Sequence, residues 1–341
     1  MRAGVLTGGG DSPGINAALR SIVRFGNKHG VDVVGFEEGW QGPVENLVRP
    51  LSPVDVSGIL HIGGTILSSS RTNPFRIDGG PERVVETLAV NAVDFLIAIG
   101  GDDTLGVAHR LAEYGVKAIG IPQTIDNDIG MTDYTLGFSS ALGAITDALD
   151  RLHTTAASHH RVLILEVMGR DAGWLSLMGG VAGGADVILI PEQKFNVDSI
   201  FRKIKRREHL KKRFSIVIIA EGAQPEDTEG QVVAEAEVDA FGHARLGGVG
   251  QYVANQLSKR MQIPVRVTNL AYLQRGGSPS PFDRILATRF GAASIEFALH
   301  GQFDVMTAIR GTEIVPVPLG EALANPRPVD EGLLYLVDLF E

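Results

Sequence analysis

The sequence predicts an α/β fold with mostly parallel sheets, and three observations lead to that prediction. Short, continuous apolar runs, typical of strands buried on both faces, alternate with segments of helical periodicity. Glycines follow several of these runs in pairs and triplets, where a strand would turn into a helix. The length of 341 residues suits two domains of ~150 residues each.

Each element is predicted from its local pattern, taken along the chain. Continuous apolar runs predict strands, and they lie at 3–7, 31–36, 95–99, 118–121, 162–167, 187–190 and 215–220. Helical spacing, as of Ala18, Ile22 and Phe25 on one face, predicts helices, and these lie at 17–25, 82–88, 104–113, 139–157, 247–261 and 281–300. The basic run 202–213 is interpreted as a solvated helix face.

Composition excludes several classes of protein. The chain is 44% hydrophobic and 21% charged, as in ordinary soluble proteins, and no stretch reaches the ~18 apolar residues of a membrane span. Its net charge of -9 argues against a dedicated nucleic-acid binder. Without Cys there is no disulfide, thiolate zinc site, Fe–S cluster or catalytic thiol. The first residues do not form a signal peptide, so we expect a cytoplasmic protein.

The first cluster of residues that suits binding or catalysis is TGGGDSPG at 7–14, between a predicted strand and a predicted helix. Glycine backbone and a helix N-terminus together favour anion binding. The Walker A pattern is absent, because no Lys-Ser/Thr follows, and Pro13 breaks the pattern G-x-G-x-x-G. The glycines alone equally predict a tight turn.

The second and third clusters, GGDDT at 100–104 and PQTIDND at 122–128, also follow apolar runs. Asp102 behind two glycines suits a phosphate that carries Mg²⁺, and helix capping is the alternative. Asp126 is a candidate general base with Asp128 beside the metal, and a simple turn is the alternative.

A fourth set consists of arginines in polar or glycine-rich contexts. Arginine suits bidentate phosphate contacts, although any single one is more commonly an exposed surface residue. The set comprises Arg71, Arg161, Arg170, Arg266 and Arg275.

Together these clusters resemble the phosphofructokinase family. The resemblance runs nearly end to end, through GVLTGGGDSPGINAALR, GGTILSSSR, AIGGDDT, TIDND, SHHRVLILEVMGRDAG, IIAEG and LQRGGSPSPFDR. GGDxT alone is shared with NAD kinases and lipid kinases, whereas TIDND, MGR and QRGGSP together are specific. The resemblance implies two Rossmann-like, three-layer domains with the active site in the cleft between them.

The same resemblance implies an activity. It is Mg²⁺-dependent phosphoryl transfer to the 1-hydroxyl of fructose 6-phosphate, giving fructose 1,6-bisphosphate in glycolysis. The implied assembly is a homodimer or homotetramer whose sugar-phosphate site is shared between subunits. Arg161 and Arg266 match arginines that family members lend to the neighbouring subunit.

Site roles are implied residue by residue. Asp126 would take the proton from the sugar hydroxyl with the support of Thr124, and Arg170 would lie near the transferring group. Mg²⁺ would be held by Asp102 and Asp128. Fructose 6-phosphate would be bound by Thr124, Asp126, Asp128, Arg161, Met168, Gly169, Arg170, Glu221, Arg266, Tyr272 and Arg275. Tyr272 replaces the His of many members, and its hydroxyl can still donate to phosphate.

The phosphoryl donor would be bound by Gly9, Arg71, Gly101, Asp103, Thr104 and Gln123. Asp103 stands where ATP-dependent members usually have Gly, and it resembles the pyrophosphate-dependent members. Its charge at ~4 Å from an ATP α-phosphate would repel by roughly 4 kcal/mol at an effective dielectric constant of ~20. Gln123 is intermediate between the Gly of the best-known bacterial ATP-dependent members and the Lys usual in pyrophosphate-dependent ones. We therefore expect pyrophosphate as donor.

Four alternatives stay open at this point. They are an ATP-dependent enzyme, a NAD-kinase-like enzyme, an inactive sugar-phosphate sensor, and use of sedoheptulose 7-phosphate as well. The expected division of the chain is 1–138 plus 250–303 as the larger, donor-binding domain and 139–249 plus 304–320 as the smaller, sugar-phosphate domain. Residues 321–341 would form a C-terminal tail.

Overall fold

The computed structural model describes residues 1–227, 230, 233–238, 241 and 244–338. In chain order its strands are β1 (Arg2–Thr7), β2 (Asp32–Phe36), β3 (Val48–Leu51), β4 (Phe95–Gly100), β5 (Ala118–Thr124), β6 (Leu136–Gly137), β7 (Val162–Val167), β8 (Val187–Leu189), β9 (Ser215–Ala220), β10 (Val233–Val238), β11 (Ala244–Leu246), β12 (Val265–Asn269), β13 (Val305–Arg310) and β14 (Glu313–Pro318).

The α-helices are α1 (Ile15–Lys28), α2 (Gln41–Glu45), α3 (Gly80–Val90), α4 (Asp102–Arg110), α5 (Phe138–His159), α6 (Trp174–Ala182), α7 (Val197–His209), α8 (Val249–Ser258), α9 (Pro281–Leu299) and α10 (Leu319–Ala324). Short 3-10 helices lie at Pro74–Arg76, Leu111–Tyr114, Ala271–Gln274 and Glu331–Val337. Every predicted strand and helix is present, with ends shifted by a few residues.

The chain divides into two compact units. Unit 1 is built mainly from Met1–Ser140 and Arg275–Pro326. Unit 2 is built mainly from the described residues between 141 and 238, from Ala244–Gln274 and from the described residues after Pro326.

Unit 1 carries a sheet in the order β14-β13-β5-β4-β1-β2-β3, with β6 paired to β5. Its central pairs are parallel, and β3 and β14 at the two ends are antiparallel to their neighbours. Alternate strand residues face opposite sides, as strand geometry requires. Val5 and Ile97 pack in one core with Leu19 and Phe290, whereas Leu6 packs in another with Val84. Helices therefore cover both faces of the sheet.

Unit 2 carries a four-stranded parallel sheet in the order β12-β7-β9-β8, and β10 and β11 form a separate antiparallel pair. Ile164 and Val217 on one face pack in a core with Ile200 of α7 and Val253 of α8. On the other face α6 lies so close that a Cβ atom at Gly180 would approach Ile188 and Ile218 within 2.8 Å. The predicted three-layer α/β architecture is confirmed in both units.

The division of the chain differs from the expected one in three segments. The expected tail 321–341 is not separate, because its residues up to Pro326 belong to unit 1 and its described residues after Pro326 belong to unit 2. Residues 250–274 lie in unit 2, because β12 pairs with β7. Residues 304–320 lie in unit 1, because β13 pairs with β5 and extends that sheet. Pro316 and Pro318 fall in β14, at the end of the sheet, where a proline costs no ladder bond.

The basic run 202–213 is largely covered by α7. Two of its cations pair with acids at 2.7–2.8 Å, Lys205 with Glu208 and Arg207 with Asp186. No helix in the described part of the chain is long and apolar enough to cross a membrane.

Candidate active site

Three predicted clusters meet at one edge of the unit 1 sheet, which we call the carboxyl edge of unit 1. They are residues 7–14, 100–104 and 122–128, which follow β1, β4 and β5. In the sheet Thr7 pairs with Ile99, and Gly100 pairs with Pro122, so the three strands end side by side. Ligands of open α/β sheets bind beyond strand carboxyl ends.

Thr104 in the first turn of α4 joins the first two clusters. A Cβ atom on Gly8 would lie 2.7 Å from Thr104 Oγ1, and one on Gly100 would lie 2.5 Å from Thr104 Cβ. Larger residues would therefore push the two loops apart. Asp102 is exposed and Asp103 partly exposed, whereas Thr104 is buried. The two carboxylates thus stand on the accessible side of the α4 N-terminus, and Thr104 packs the loops together.

The segment 122–128 alternates in exposure. Ile125 and Asn127 are buried, while Thr124, Asp126 and Asp128 are partly exposed. Thr124 Oγ1 accepts a hydrogen bond from Asp126 N at 3.1 Å. The segment therefore presents a hydroxyl and two carboxylates together.

Buried polar contacts that sequence analysis missed hold this segment. Asn127 adopts a φ of 54°, a conformation that Asn tolerates well, and its Oδ1 accepts from Thr135 N at 2.9 Å. Thr135 Oγ1 also donates to Thr124 O at 2.7 Å. The available signal was the Asn of TIDND, since Asn at a turn commonly bonds to nearby backbone.

Gln123 is 1% exposed and links β5 to residues 8–14, which we call the glycine loop. Its Nε2 donates to Gly10 O at 3.0 Å and to Ser12 Oγ at 2.9 Å. In the part of the chain that the structure describes, its Oε1 is buried without a hydrogen-bond partner. Gln123 therefore fixes the position of residues 10–12 and keeps one acceptor atom unused.

The neighbouring segment that carries Arg71 runs beside the same loop. Gly9 N donates to Ser70 O at 3.1 Å, and Ser69 Oγ donates to Gly9 O at 2.6 Å. Arg71 follows directly and is exposed. The structure thus brings the predicted donor-binding residues of unit 1 to one edge.

Arg275 also lies at the carboxyl edge of unit 1. Its guanidinium group is packed against Gly10, where a Cβ atom would approach its Nη1 within 2.5 Å, and it donates to Asp11 O at 3.2 Å. Arg275 was expected among the sugar-phosphate residues, and here it contacts the glycine loop.

The predicted sugar-phosphate residues of unit 2 fall into two groups. Met168, Gly169 and Arg170 follow β7, and Glu221 follows β9. These strands end side by side, because Val167 pairs with Ala220 and Glu221 N donates to Val167 O at 2.8 Å. We call this place the carboxyl edge of unit 2.

Arg161 and Arg266 lie toward the opposite end of the same sheet. Arg161 precedes β7, and Arg266 pairs with Leu163 near the start of that strand. The length of β7, at ~3.3 Å per residue, places Arg161 about 20 Å of strand from Met168. The structure therefore groups these two arginines together and separates them from Met168, Gly169 and Arg170.

Two residues missed from the sequence tie the carboxyl edge of unit 2 to residues 269–274. Glu166, 2% exposed, accepts from Asn269 Nδ2 at 2.9 Å. Gln274, fully buried, accepts from Met168 N at 3.2 Å through its Oε1 and donates to Ala271 O at 3.0 Å. Tyr272, between these anchors, is 67% exposed. Gln274 lies in the QRGGSP motif, so its position carried a signal although its contact could not be foreseen.

The side chains of the carboxyl edge of unit 1 include carboxylates that could contribute to a divalent cation site. Among the described residues there is no group of three His, Asp or Glu side chains that could hold a metal ion by itself. Mg²⁺ is usually held by one or two carboxylates together with substrate phosphates and water. Asp102 follows β4 by two residues and Asp128 follows the adjacent strand β5 by four, and we keep these two as the candidate carboxylates.

Comparisons with known proteins place the chain in a family. The family model described as Phosphofructokinase matches residues 2–298. The chain belongs to the phosphofructokinase family. The resemblance found in the sequence motifs is therefore confirmed, and the NAD-kinase-like alternative is not supported.

Relatives that are similar over more than nine-tenths of this chain are named either as pyrophosphate-dependent or as ATP-dependent enzymes. A pyrophosphate--fructose 6-phosphate 1-phosphotransferase of Amycolatopsis mediterranei is 53% identical over 96% of both chains. One from Streptomyces coelicolor is 52% identical over 100% of this chain and 99% of its own. An ATP-dependent 6-phosphofructokinase of Chloroflexus aurantiacus is 46% identical over 95% of this chain and 92% of its own.

A solved structure confirms the fold. Phosphofructokinase of Pichia pastoris in the T-state matches 95% of this chain at a TM-score of 0.84 and 32% identity. The chain spans 35% of the length of that larger protein. This phosphofructokinase family member thus has the fold of a solved phosphofructokinase over 95% of its length.

Proposed function

We propose that this chain transfers a phosphoryl group from pyrophosphate to the 1-hydroxyl of fructose 6-phosphate. The observation that carries the proposal is the carboxyl edge of unit 1, where the glycine loop, Asp103 and Asp126 follow three adjacent strands. The names of the relatives above 50% identity agree with this donor. The proposed activity belongs to glycolysis, and we expect it to run in both directions.

In the proposed mechanism Asp126 is the general base. It takes the proton of the 1-hydroxyl as that oxygen attacks the terminal phosphorus of pyrophosphate. The new O–P bond forms while the bridging P–O bond breaks, and inorganic phosphate leaves. Thr124, whose hydroxyl accepts from the backbone of Asp126, holds the base in place. A base acting in this way contributes ~10²–10⁴ in rate.

Phosphoryl transfer otherwise depends on positioning and on neutralising charge. Arg170 would supply positive charge to the transferring group. Asp102 and Asp128 would hold Mg²⁺, which would neutralise and orient the donor phosphates when bound. Gly9, Arg71, Gly101 and Thr104 form the rest of the proposed donor site.

Asp103 sets the choice of donor in this proposal. Asp103 lies in the first turn of α4, two residues after Gly101. Pyrophosphate has no third phosphate group to be repelled, whereas the α-phosphate of ATP would face this charge. Gln123 adds bulk, because its side chain already fills the space between β5 and Gly10.

The sugar phosphate would be held by Met168, Gly169, Arg170 and Glu221, with Tyr272 and Arg275 near its 6-phosphate. Arg161 and Arg266 lie at the other end of the unit 2 sheet. Because one protomer cannot bring both ends of a strand to one phosphate, we propose that these two arginines serve a second copy of the chain. The assembly would then be a homodimer or homotetramer.

The first prediction concerns the product. With fructose 6-phosphate and Mg²⁺, the purified chain should form fructose 1,6-bisphosphate with pyrophosphate at a kcat/KM at least tenfold above that with ATP. A coupled assay with the two donors in parallel, and with sedoheptulose 7-phosphate as a second acceptor, measures this. A higher kcat/KM with ATP would establish the ATP-dependent alternative, and no product with either donor would favour the sensor.

The second prediction concerns Gln123. In Gln123→Ala the loop at 10–12 loses two hydrogen bonds, each worth ~0.5–1.5 kcal/mol. The KM for pyrophosphate should therefore rise about tenfold at saturating fructose 6-phosphate. Gln41→Ala, which removes a side-chain bond to Glu45 on α2, is the matched control and should leave this KM unchanged. Equal KM values for both variants and the unmodified chain would contradict the role of Gln123.

A further inference from the structure

Each unit contains a buried carboxylate that the proposed mechanism does not use. Asp283 in unit 1 is fully buried, and Glu166 in unit 2 is 2% exposed. Carboxylates are rarely buried to this extent unless they are well paired. Both accept hydrogen bonds from the backbone at the start of a helix, and both are connected to a segment that carries proposed substrate residues.

Asp283 connects two helices of unit 1. It lies in the first turn of α9, and its carboxylate accepts from Gly137 N at 3.1 Å and from Ser140 N at 2.8 Å. Ser140 Oγ donates to the same carboxylate at 2.5 Å. The start of α5 is therefore capped by a residue more than 140 positions further along the chain.

This cap controls the backbone beside the proposed base. Gly137 belongs to β6, which pairs with the end of β5 at Thr124. The preceding residue of β6, Leu136, accepts from Ser12 Oγ through its carbonyl at 3.2 Å. A shift of Gly137 would therefore move both Thr124, two residues before Asp126, and the glycine loop.

Glu166 makes the same kind of contact in unit 2, since it also accepts hydrogen bonds from the backbone at the start of a helix. It lies on β7, two residues before Met168, and accepts from Gly248 N at 2.9 Å and Gly250 N at 2.8 Å at the start of α8. A Cβ atom at Gly250 would lie 2.8 Å from Glu166 Oε2, so this close approach requires glycine there. The third donor to Glu166 is the Nδ2 atom of Asn269. The Oδ1 atom of Asn269 in turn accepts from Ala271 N.

Burial raises the pKa of the Asp283 carboxyl above its ordinary value, and the hydrogen bonds it accepts from Gly137, Ser140 and Ser280 oppose this only in part. A raised pKa in the folded state means that the stabilising contribution is present below the unfolded pKa and is lost as pH rises through the folded pKa. Above that pH the buried charge therefore costs folding free energy. We expect Asp283→Asn, which has the same shape and no charge, to fold at neutral pH.

We propose that Asp283 and Glu166 are positioning residues, Asp283 for the base segment at 124–126 and Glu166 for the sugar-phosphate segments at 168–170 and 269–272. The proposal rests on the proposed function. It assigns the two carboxylates different kinetic effects, because they hold different parts of the site. A merely structural pair of helix caps would affect stability without such a difference.

The test compares Asp283→Asn with Glu166→Gln in the coupled assay with pyrophosphate. In each variant one carboxylate oxygen becomes an NH₂ group, which cannot accept from a backbone N–H, so the cap is weakened while the shape is kept. Asp283→Asn should lower kcat by about 10–100-fold with the KM for fructose 6-phosphate within threefold, since a displacement of ~1 Å costs about 10² in rate. Glu166→Gln should raise that KM about tenfold or more and change kcat by less than threefold.

Asn196→Ala is the matched control. It removes the side-chain cap of α7, where Asn196 Oδ1 accepts from Asp198 N at 2.8 Å, and should change neither parameter. If either carboxylate variant fails to fold in a thermal melt, Ser140→Ala and Asn269→Ala remove single partners of Asp283 and Glu166. They should then show the same division between kcat and KM at smaller size.

The outcomes separate the two proposals. An active unmodified chain whose two carboxylate variants change kcat and KM in equal proportion overturns the positioning roles alone. An unmodified chain that makes no product overturns the proposed function and, with it, this inference. Amide hydrogen exchange gives an independent measurement, since Asp283→Asn should accelerate it at 124–140 and Glu166→Gln at 248–254 and 269–272. Acceleration without that localisation contradicts the inference whatever the activity.

Discussion

Replacing Asp126 with Asn should lower kcat by about 10²–10⁴, because the amide cannot take the proton of the attacking hydroxyl. The change keeps the size of the side chain, and the segment remains held by Asn127 and Thr135. The KM for fructose 6-phosphate should change little, since the loss concerns the transition state. Steady-state rates in both directions measure this effect.

The control for this variant is Asp147→Asn. Asp147 is an exposed carboxylate on α5 that pairs with Arg151 at 2.8 Å, so its loss removes one acid without touching the carboxyl edge of unit 1. It should keep the full rate. A fall of less than tenfold for Asp126→Asn, with an unchanged melting temperature, would show that another group accepts the proton.

Replacing Asp103 with Gly should raise kcat/KM for ATP by about 10²–10³. The estimate follows from the repulsion of roughly 4 kcal/mol between the carboxylate and an α-phosphate at ~4 Å. Glycine in a helix costs ~1 kcal/mol, so a small fall in melting temperature should accompany the gain. Parallel titrations of ATP and pyrophosphate at saturating fructose 6-phosphate measure the change.

Asp103→Asn separates charge from bulk, because it removes the first and keeps the second. If repulsion dominates, this variant should recover most of the gain with ATP. If only glycine recovers it, steric exclusion is the cause. An unmodified chain that already uses ATP as well as pyrophosphate would contradict both explanations.

Much of the fold could be predicted because its signals are local. The buried parallel strands are continuous apolar runs, as at 95–99, and β4 extends that run by a single residue. The segment β14 was missed because Pro316 and Pro318 interrupt its apolar residues, and β13 was missed because Thr307 interrupts its apolar run. Only the end position of β14 in the sheet makes those prolines acceptable, and sheet order is not visible in local periodicity.

The candidate site likewise has features that the sequence predicts and features that only the tertiary structure reveals. The sequence by itself determined which residues are candidates for the chemistry, since glycines, acids and arginines stand in motifs of a known family. It also predicted the edge of unit 1, because parallel strands must end on the same side. Only the tertiary structure decided that Arg275 packs on Gly10, that Arg161 and Arg266 lie at the far end of β7 and β12, and that Asp283 and Glu166 cap distant helices. The physical reason is that such contacts join segments up to 264 residues apart, and they depend on how helices and strands pack rather than on any neighbouring residue.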